Sequence, residues 1–318
     1  MRIQRLVIEN FKSIERIELV DPNPFTVFVG PNGSGKSNIF EALEFIRYKT
    51  TIPRETVESL FGGVEKISRR SSQKLPDFEV QLDEVTLRNN VRTVKGRNFP
   101  IEDWLDFKVD DYPPYKQFTN FARIFVKNED LVKLKLLGNK QLTLSASNLE
   151  PVLKRILSDE TLRNEIFEWL ELFVPGFKAV EVDDRNELHW FEQSTPDYFT
   201  KDLISDGTYN ILALLTAVYQ SDDEPQFLCI EEPENGLHPQ VAGELVDFFR
   251  IMCEERGHFI WLNTHSVSIT SRVKPEEFIL VEKKQGATTT RQFKAEDFHG
   301  LRTDEAWLTN LLNGGLAW

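Results

Sequence analysis

FTVFVGPNGSGKS, residues 25–37, decides how the rest of the chain is read. An apolar, β-branched and aromatic run passes directly into Gly30-x4-Gly35-Lys36-Ser37 and then into an amphipathic stretch, Asn38–Tyr48. That order predicts a strand, a phosphate-binding loop and a helix. The loop residues are Gly30, Pro31, Asn32, Gly33, Ser34, Gly35, Lys36 and Ser37, with Asn38 opening the helical stretch. Glycines let successive backbone N–H groups converge on one anion, and the helix adds its positive end. Lys36 is placed to reach the β- and γ-phosphates, and the Ser37 hydroxyl to ligate Mg²⁺. The pattern implies a nucleoside triphosphate.

The chain has 318 residues, 40% hydrophobic and 28% charged, the balance of a globular protein with one large α/β domain or two smaller ones. No apolar run reaches the roughly 18 residues of a membrane-crossing helix. The opening MRIQRLVIENF alternates as a strand does and lacks the apolar core of a signal peptide. Cys229 and Cys253 stand outside any metal-type cluster and read as buried thiols. A soluble, cytoplasmic protein without a membrane partner is expected. The net charge of −13 argues against broad affinity for polyanions. One local exception runs from Lys66 to Arg97, with eight basic residues against four acidic ones. It fits DNA phosphates, but without interleaved aromatics a solvated face fits better.

Strands are expected at Ile3–Ile8, Arg16–Leu19 and Phe25–Val29, then at Phe78–Leu87 and Phe118–Leu137 around a turn at residues 127–130. One helical stretch is expected over Asn148–Phe173, followed by a β pair at Ala179–Asp183 and Leu188–Phe191. From there the pattern is strictly α/β: helix Gly207–Tyr219, strand Phe227–Ile230, helix Gln240–Arg256, strands Phe259–Asn263 and Phe278–Glu282. Loose segments are expected at Lys49–Glu55, Ser71–Pro76 and Lys95–Pro114.

Three further stretches carry chemistry. In QFLCIEEPENGLHP, residues 226–239, an apolar strand delivers Glu231 and Glu232 at its C-terminal edge, where ligands of open parallel sheets bind. Adjacent residues of an extended chain point opposite ways, so the two carboxylates divide the work. Glu231 is expected to orient the Mg²⁺ shell and Glu232 to face the attacking water. In DLISDGTYNILALLTAVY, Ser205, Asp206 and Gly207 open a helix. They fit an ordinary N-cap box, and equally a second phosphate-binding helix start. In FIWLNTHSVSI, His265 ends a strand, where it fits a structural hydrogen bond or a contact to the γ-phosphate or the attacking water.

The set GPNGSGKS, ISDGT, LCIEEPENGLHP and NTHS, with the opening IENFKSIERIEL, resembles the ABC-class ATPases of the RecF, SMC and OLD group. More narrowly it resembles the stand-alone bacterial AAA-family ATPases related to RecF. The resemblance implies a P-loop NTPase fold of ABC-ATPase type, with a mixed central sheet, helices on both faces and a compact α+β insertion lobe. Residues 1–50 and 200–318 would form the ATPase core, and 51–199 the inserted lobe. It implies that Gly30–Ser37 is the Walker A loop, with Asn32 near the γ-phosphate. Glu231 takes the place of the Walker B aspartate of transporter-type relatives, and Glu232 that of the catalytic glutamate. Ile204–Thr208 would be the signature motif, Asn235–His238 the D-loop and His265 the switch histidine. Gln81 is the candidate Q-loop ligand to the metal, and Lys12 a candidate to approach the nucleotide.

Members of this group work as head-to-tail dimers with ATP between one subunit's Walker A loop and the other's signature. Ser205 follows Ser37 by 168 residues and need not complete its own subunit's site. The segment between them lacks heptads, which sets the chain apart from the long-armed chromosome clamps. After Glu282 there is no Asp-x-Asp, so a nuclease or effector is expected as a separate protein. The tail DEAWLTNLLNGGLAW, with Trp307 and Trp318, is expected to pack as a last helix, with partner docking as the alternative. The leading expectation is an ATPase switch regulating a DNA-acting or anti-phage defence partner. A RecF-like DNA-repair module comes second and a transporter motor third.

Overall fold

The computed structural model describes residues 2–49, 52–70, 72, 74–83, 85–88, 91–94, 97–100, 118, 120–126 and 140–312. The expected turn at 127–130, most of Lys95–Pro114 and Trp318 lie outside these residues.

Fifteen strands are described: β1 Ile3–Phe11, β2 Ile14–Val20, β3 Phe25–Val29, β4 Asp77–Leu82, β5 Val85–Arg88, β6 Val91–Val94, β7 Arg97–Pro100, β8 Phe121–Ile124, β9 Phe177–Val182, β10 Leu188–Glu192, β11 Tyr198–Phe199, β12 Phe227–Glu231, β13 Phe259–Thr264, β14 Phe278–Lys284 and β15 Ala287–Gln292. Twelve form one sheet in the order β7-β6-β5-β4-β1-β2-β15-β14-β3-β13-β12-β8, and β9 to β11 form a separate small one. Strands β14, β3, β13, β12 and β8 run parallel. The other flank, from β2 to β7, is antiparallel.

The central residues of the parallel strands are largely apolar because both faces are covered there. Their alternation divides the core in two. Phe25, Val27, Leu228, Ile230, Ile260 and Leu262 face the cluster beneath helices Leu149–Leu157, Glu160–Phe173, Asp206–Tyr219 and Pro239–Arg256. Phe28, Phe227, Cys229, Phe259 and Trp261 face the cluster of the phosphate-loop helix, Lys36–Lys49. Both cysteines are buried and free. Among the described residues no helix is long and apolar enough to cross a membrane.

The structure differs from the sequence reading in several places. The single helix expected over Asn148–Phe173 is two, because Asp159 turns out of the first and caps the second, accepting from the Thr161 and Leu162 N–H groups. Strand β15 was not expected. It pairs back on β14 through Gln285 and Gly286, and its Thr288–Thr290 run carries the β-branched signal. The 51–199 segment shares its sheet with the core: β4 to β7 extend the antiparallel flank and β8 adds the edge of the parallel one. Gln81 sits on β4 opposite Arg5. Four strands stand between β4 and β3, so it lies roughly 24 Å across the sheet from the phosphate loop, at about 4.8 Å per strand, and is not a metal ligand there. At the tail, Thr303–Leu308 is a short helix, and Trp307 packs partly buried against the core.

His258, fully buried where the chain enters β13, accepts a hydrogen bond at Nδ1 from the Gln226 N–H at 3.3 Å. Burial, reinforced by the Arg256 charge, pulls its pKa down from 6.5 to about 4. Its folded value lies below its unfolded one, so the neutral ring's contribution is complete above pH 6.5 and fades toward pH 4. Over that window the protein is expected to lose about 3 kcal/mol through this group alone. Urea unfolding of the parent and of His258→Gln at each pH checks this. The gap between the two curves should shrink as pH falls, and a constant gap rules the effect out.

Candidate active site at the ends of the parallel strands

The phosphate loop begins where β3 ends, and its shape is fixed by close neighbours. A Cβ on Gly30 would stand 2.1 Å from the Val281 carbonyl oxygen, and one on Gly35 would stand 2.0 Å from Thr288 Oγ1. Gly35 also has φ +101° and Gly33 φ +78°, conformations that favour glycine. Thr288 Oγ1 donates to the Ser34 carbonyl at 2.8 Å, and Ser13 Oγ accepts from Asn38 Nδ2 at 2.6 Å. Ser13 and Thr288 are themselves bonded at 2.7 Å. The first hairpin and β15 thus brace the loop from below. Neither contact is visible in the loop's own sequence.

Lys36 folds back over the loop, its Nζ donating to the Gly30 carbonyl at 2.7 Å and the Pro31 carbonyl at 3.2 Å. Burial lowers its pKa, against the opposing pull of Glu232, Glu234 and Glu231. Ser34 Oγ is buried without a protein partner, while Asn32, Gly33 and Ser37 are exposed. Ser37 Oγ donates to Glu231 Oε2 at 2.5 Å, across 194 residues of chain.

Glu231 and Glu232 part, but by a left-handed turn at Glu232 just beyond β12 and not by the pleat of an extended strand. Glu231, 3% exposed, turns toward Ser37. Glu232 has φ +46°, and its N–H donates to the Asn263 carbonyl at 2.9 Å. Its carboxylate stands 3.5 Å from His265 Nδ1 and accepts from Asn235 Nδ2 at 3.3 Å. Beside it, Thr264 Oγ1 donates to Glu234 Oε1 at 2.5 Å, and burial raises the Glu234 pKa against that bond.

Ser205 caps the Asp206–Tyr219 helix, its Oγ accepting from the Thr208 N–H at 3.0 Å. Gly207 packs against the turn after Glu232, where a Cβ would stand 2.4 Å from the Gly236 carbonyl oxygen. Asn210 Nδ2 donates to the Pro233 and Asn235 carbonyls of the same turn, at 3.0 and 2.8 Å. Ser205 and Asp206 remain exposed.

Sequence reasoning missed Ser13 and Thr288 beneath the loop, and it missed Arg123. Arg123, on β8, is buried between two carboxylates: Nε and Nη2 reach Glu231 Oε1, the first at 2.6 Å, and Nη1 reaches Glu44 Oε2 at 3.0 Å. Burial works against its charge, but Glu231, Glu44 and Glu41 outweigh it and hold its pKa above the ordinary value. Its signal was a lone arginine in the apolar run FARIFV, since a charged side chain is rarely buried without a partner. Lys12 pairs with Glu41 and lines a cleft of about 740 Å³ with Ser13, Lys66, Ser68, Arg69 and Arg70. Arg69 also pairs with Glu15 at 3.1 Å.

Two family patterns match the chain: "AAA ATPase domain" over residues 1–165 and "AAA domain, putative AbiEii toxin, Type IV TA system" over residues 94–271. An ATP/GTP phosphatase of Helicobacter pylori is 24% identical over 288 residues, covering 74% of this chain and 77% of the phosphatase. The chromosome partition protein Smc of Methanocaldococcus jannaschii is 27% identical over 173 residues, half of this chain but only 14% of Smc. A crystallised Smc head bound to the C-terminal winged-helix domain of ScpA superposes with TM-score 0.64 at 15% identity, covering 95% of this chain and all of that one. That likeness shows the fold alone, a P-loop NTPase of the SMC-head and ABC type.

Gly207→Ala should drive the helix start off the Gly236 carbonyl and destabilise the protein by about 1–3 kcal/mol. Urea denaturation monitored by tryptophan fluorescence measures this, and parental stability would show that the contact is slack.

Proposed function

Because the chain belongs to the AAA ATPase domain family and is an ATPase of the SMC and ABC type, we propose that it is a nucleotide switch. ATP closes two copies head to tail, and hydrolysis releases them. The observation that carries this reading is the one-sidedness of the site. Ser37, Glu231, Glu232 and His265 meet at the ends of β3, β12 and β13, while the helix start, exposed at Ser205 and Asp206, is held through the buried Gly207 on the turn after Glu232. A second copy offers its own Ser205, Asp206 and Gly207 N–H groups to the phosphates, and symmetry makes two such sites.

The residues fit the nucleotide and its metal. The loop presents an open backbone at Gly33 and an unpartnered buried hydroxyl at Ser34. Ser37 and Glu231 supply hard oxygen donors 2.5 Å apart, the type Mg²⁺ takes. When bound there, Mg²⁺ neutralises charge on the β- and γ-phosphates. Lys36 exchanges the loop carbonyls for phosphate oxygens. Glu232, oriented by His265 and Asn235, accepts the proton of the attacking water or fixes its approach. The cleft lined by Lys12, Ser13 and Arg69 adjoins the loop through Ser13 and receives the rest of the nucleotide. That position supports the nucleotide over DNA as the ligand of Lys66, Arg69 and Arg70.

The partner regulated by this switch is a separate DNA-acting or defence protein. The chain's likeness to a family described with a putative AbiEii toxin and a type IV toxin–antitoxin system supports this reading.

Glu232→Gln should keep ATP binding, lose hydrolysis by about 10²–10⁴-fold and accumulate as an ATP-dependent dimer. Size-exclusion chromatography with light scattering, with and without Mg²⁺–ATP, reads this directly. A variant that binds ATP yet stays monomeric would sink the dimer.

A further inference from the structure

We infer that Arg123 is a positioning residue for the metal site: it holds one oxygen of Glu231 so that only the other faces Ser37. The inference rests on the ATPase reading above and deepens it.

A glutamate has two equivalent carboxylate oxygens and a flexible stem. At the end of β12, Glu231 would be free to turn both toward Ser37 or to swing away. The guanidinium removes that freedom, because its Nε and Nη2 both close on Oε1, leaving Oε2 with the Ser37 hydroxyl. The arginine is itself fixed. Its side chain is 5% exposed, and Nη1 is tied to Glu44 on the phosphate-loop helix, which is 10% exposed. Arg123 therefore links three elements: β8, the end of β12 and the helix that carries Ser37.

A purely structural role would need only charge balance. Two carboxylates around one guanidinium leave an excess negative charge, so balance is not what the arrangement achieves. It instead fixes the direction of one oxygen. Partners of metal-binding carboxylates act in this way, and their loss typically weakens metal affinity about 10- to 100-fold. A lysine would keep the charge but lose the planar fork that closes on one oxygen.

The test compares the parent, Arg123→Lys and the double variant Arg123→Met/Glu44→Met, the last replacing the ion pair by apolar bulk. Circular dichroism identifies folded variants. Fluorescent-nucleotide titration without metal gives nucleotide affinity, and Mn²⁺ electron paramagnetic resonance with a non-hydrolysable ATP analogue gives metal affinity. The expected result in a folded variant is nucleotide affinity within about twofold of the parent, with Mn²⁺ affinity weaker by about 10- to 100-fold. Mn²⁺ affinity within twofold of the parent overturns the inference. So does an equal loss of nucleotide and metal affinity, or failure of both variants to fold, since each marks Arg123 as a structural strut. A parent that binds no Mn²⁺–nucleotide would instead overturn the nucleotide reading itself.

Discussion

The site depends on the register of three buried parallel strands. Asn263 stands opposite both Glu231 and Phe28, and Thr264 stands opposite Val29. The three strands therefore end within one residue of one another, and the phosphate loop, the two glutamates and His265 leave the sheet side by side. A slip of one residue in β12 would move Phe227, Cys229 and Glu231 to the opposite face and put Leu228 and Ile230 in their place. The two apolar clusters forbid this, because Phe227 meets Phe121, Phe259 and Trp261 on one side while Leu228 and Ile230 fill the other. Core packing thus fixes the geometry of the chemistry.

What the sequence disclosed follows the same division. Interactions that lie within a few residues leave a local pattern: the glycines of the loop, the opposed pair Glu231-Glu232, the Ser205 cap. Elements with an unbroken apolar alternation, such as β3, β12 and β13, were legible to within a residue or so. Contacts made across the sheet were not. Thr288 supports Ser34 from 254 residues away, Ser13 reaches Asn38 from an adjacent hairpin, and Arg123 joins Glu231 over 108 residues. Gln81 was assigned by its distance along the chain, which counts for little when β1, β2, β15 and β14 intervene. The break at Asp159 is a different failure: the apolar spacing of both helices reads as one, and only the carboxylate bonded to the Thr161 and Leu162 amides reveals the turn.

Burying Glu231 has a cost that explains its surroundings. A carboxylate 3% exposed and left without partners would carry a large desolvation cost. Arg123 and the Ser37 hydroxyl offset that cost with direct hydrogen bonds, and Glu44 in turn keeps Arg123 in place. Such a cluster is a poor source of net stability, since hydrophobic side chains of equal volume would do as well. Its presence at the end of β12, where the fold needs no charge, is understood through orientation and not through stability.

Glu232 takes a different constraint. Its φ of +46° is costly for a residue with a Cβ, of order 1–2 kcal/mol, and the surrounding bonds impose it. The Glu232 N–H is held by Asn263, and its carbonyl accepts from the Asn235 N–H at 3.1 Å. The turn so formed is clamped by Asn210 from the Asp206–Tyr219 helix and abuts Gly207. The helix start at Ser205 and the carboxylate of Glu232 therefore share one rigid turn. The close contact at Gly207 and the two Asn210 bonds thus tie the helix start that Ser205 caps to the residue that faces His265.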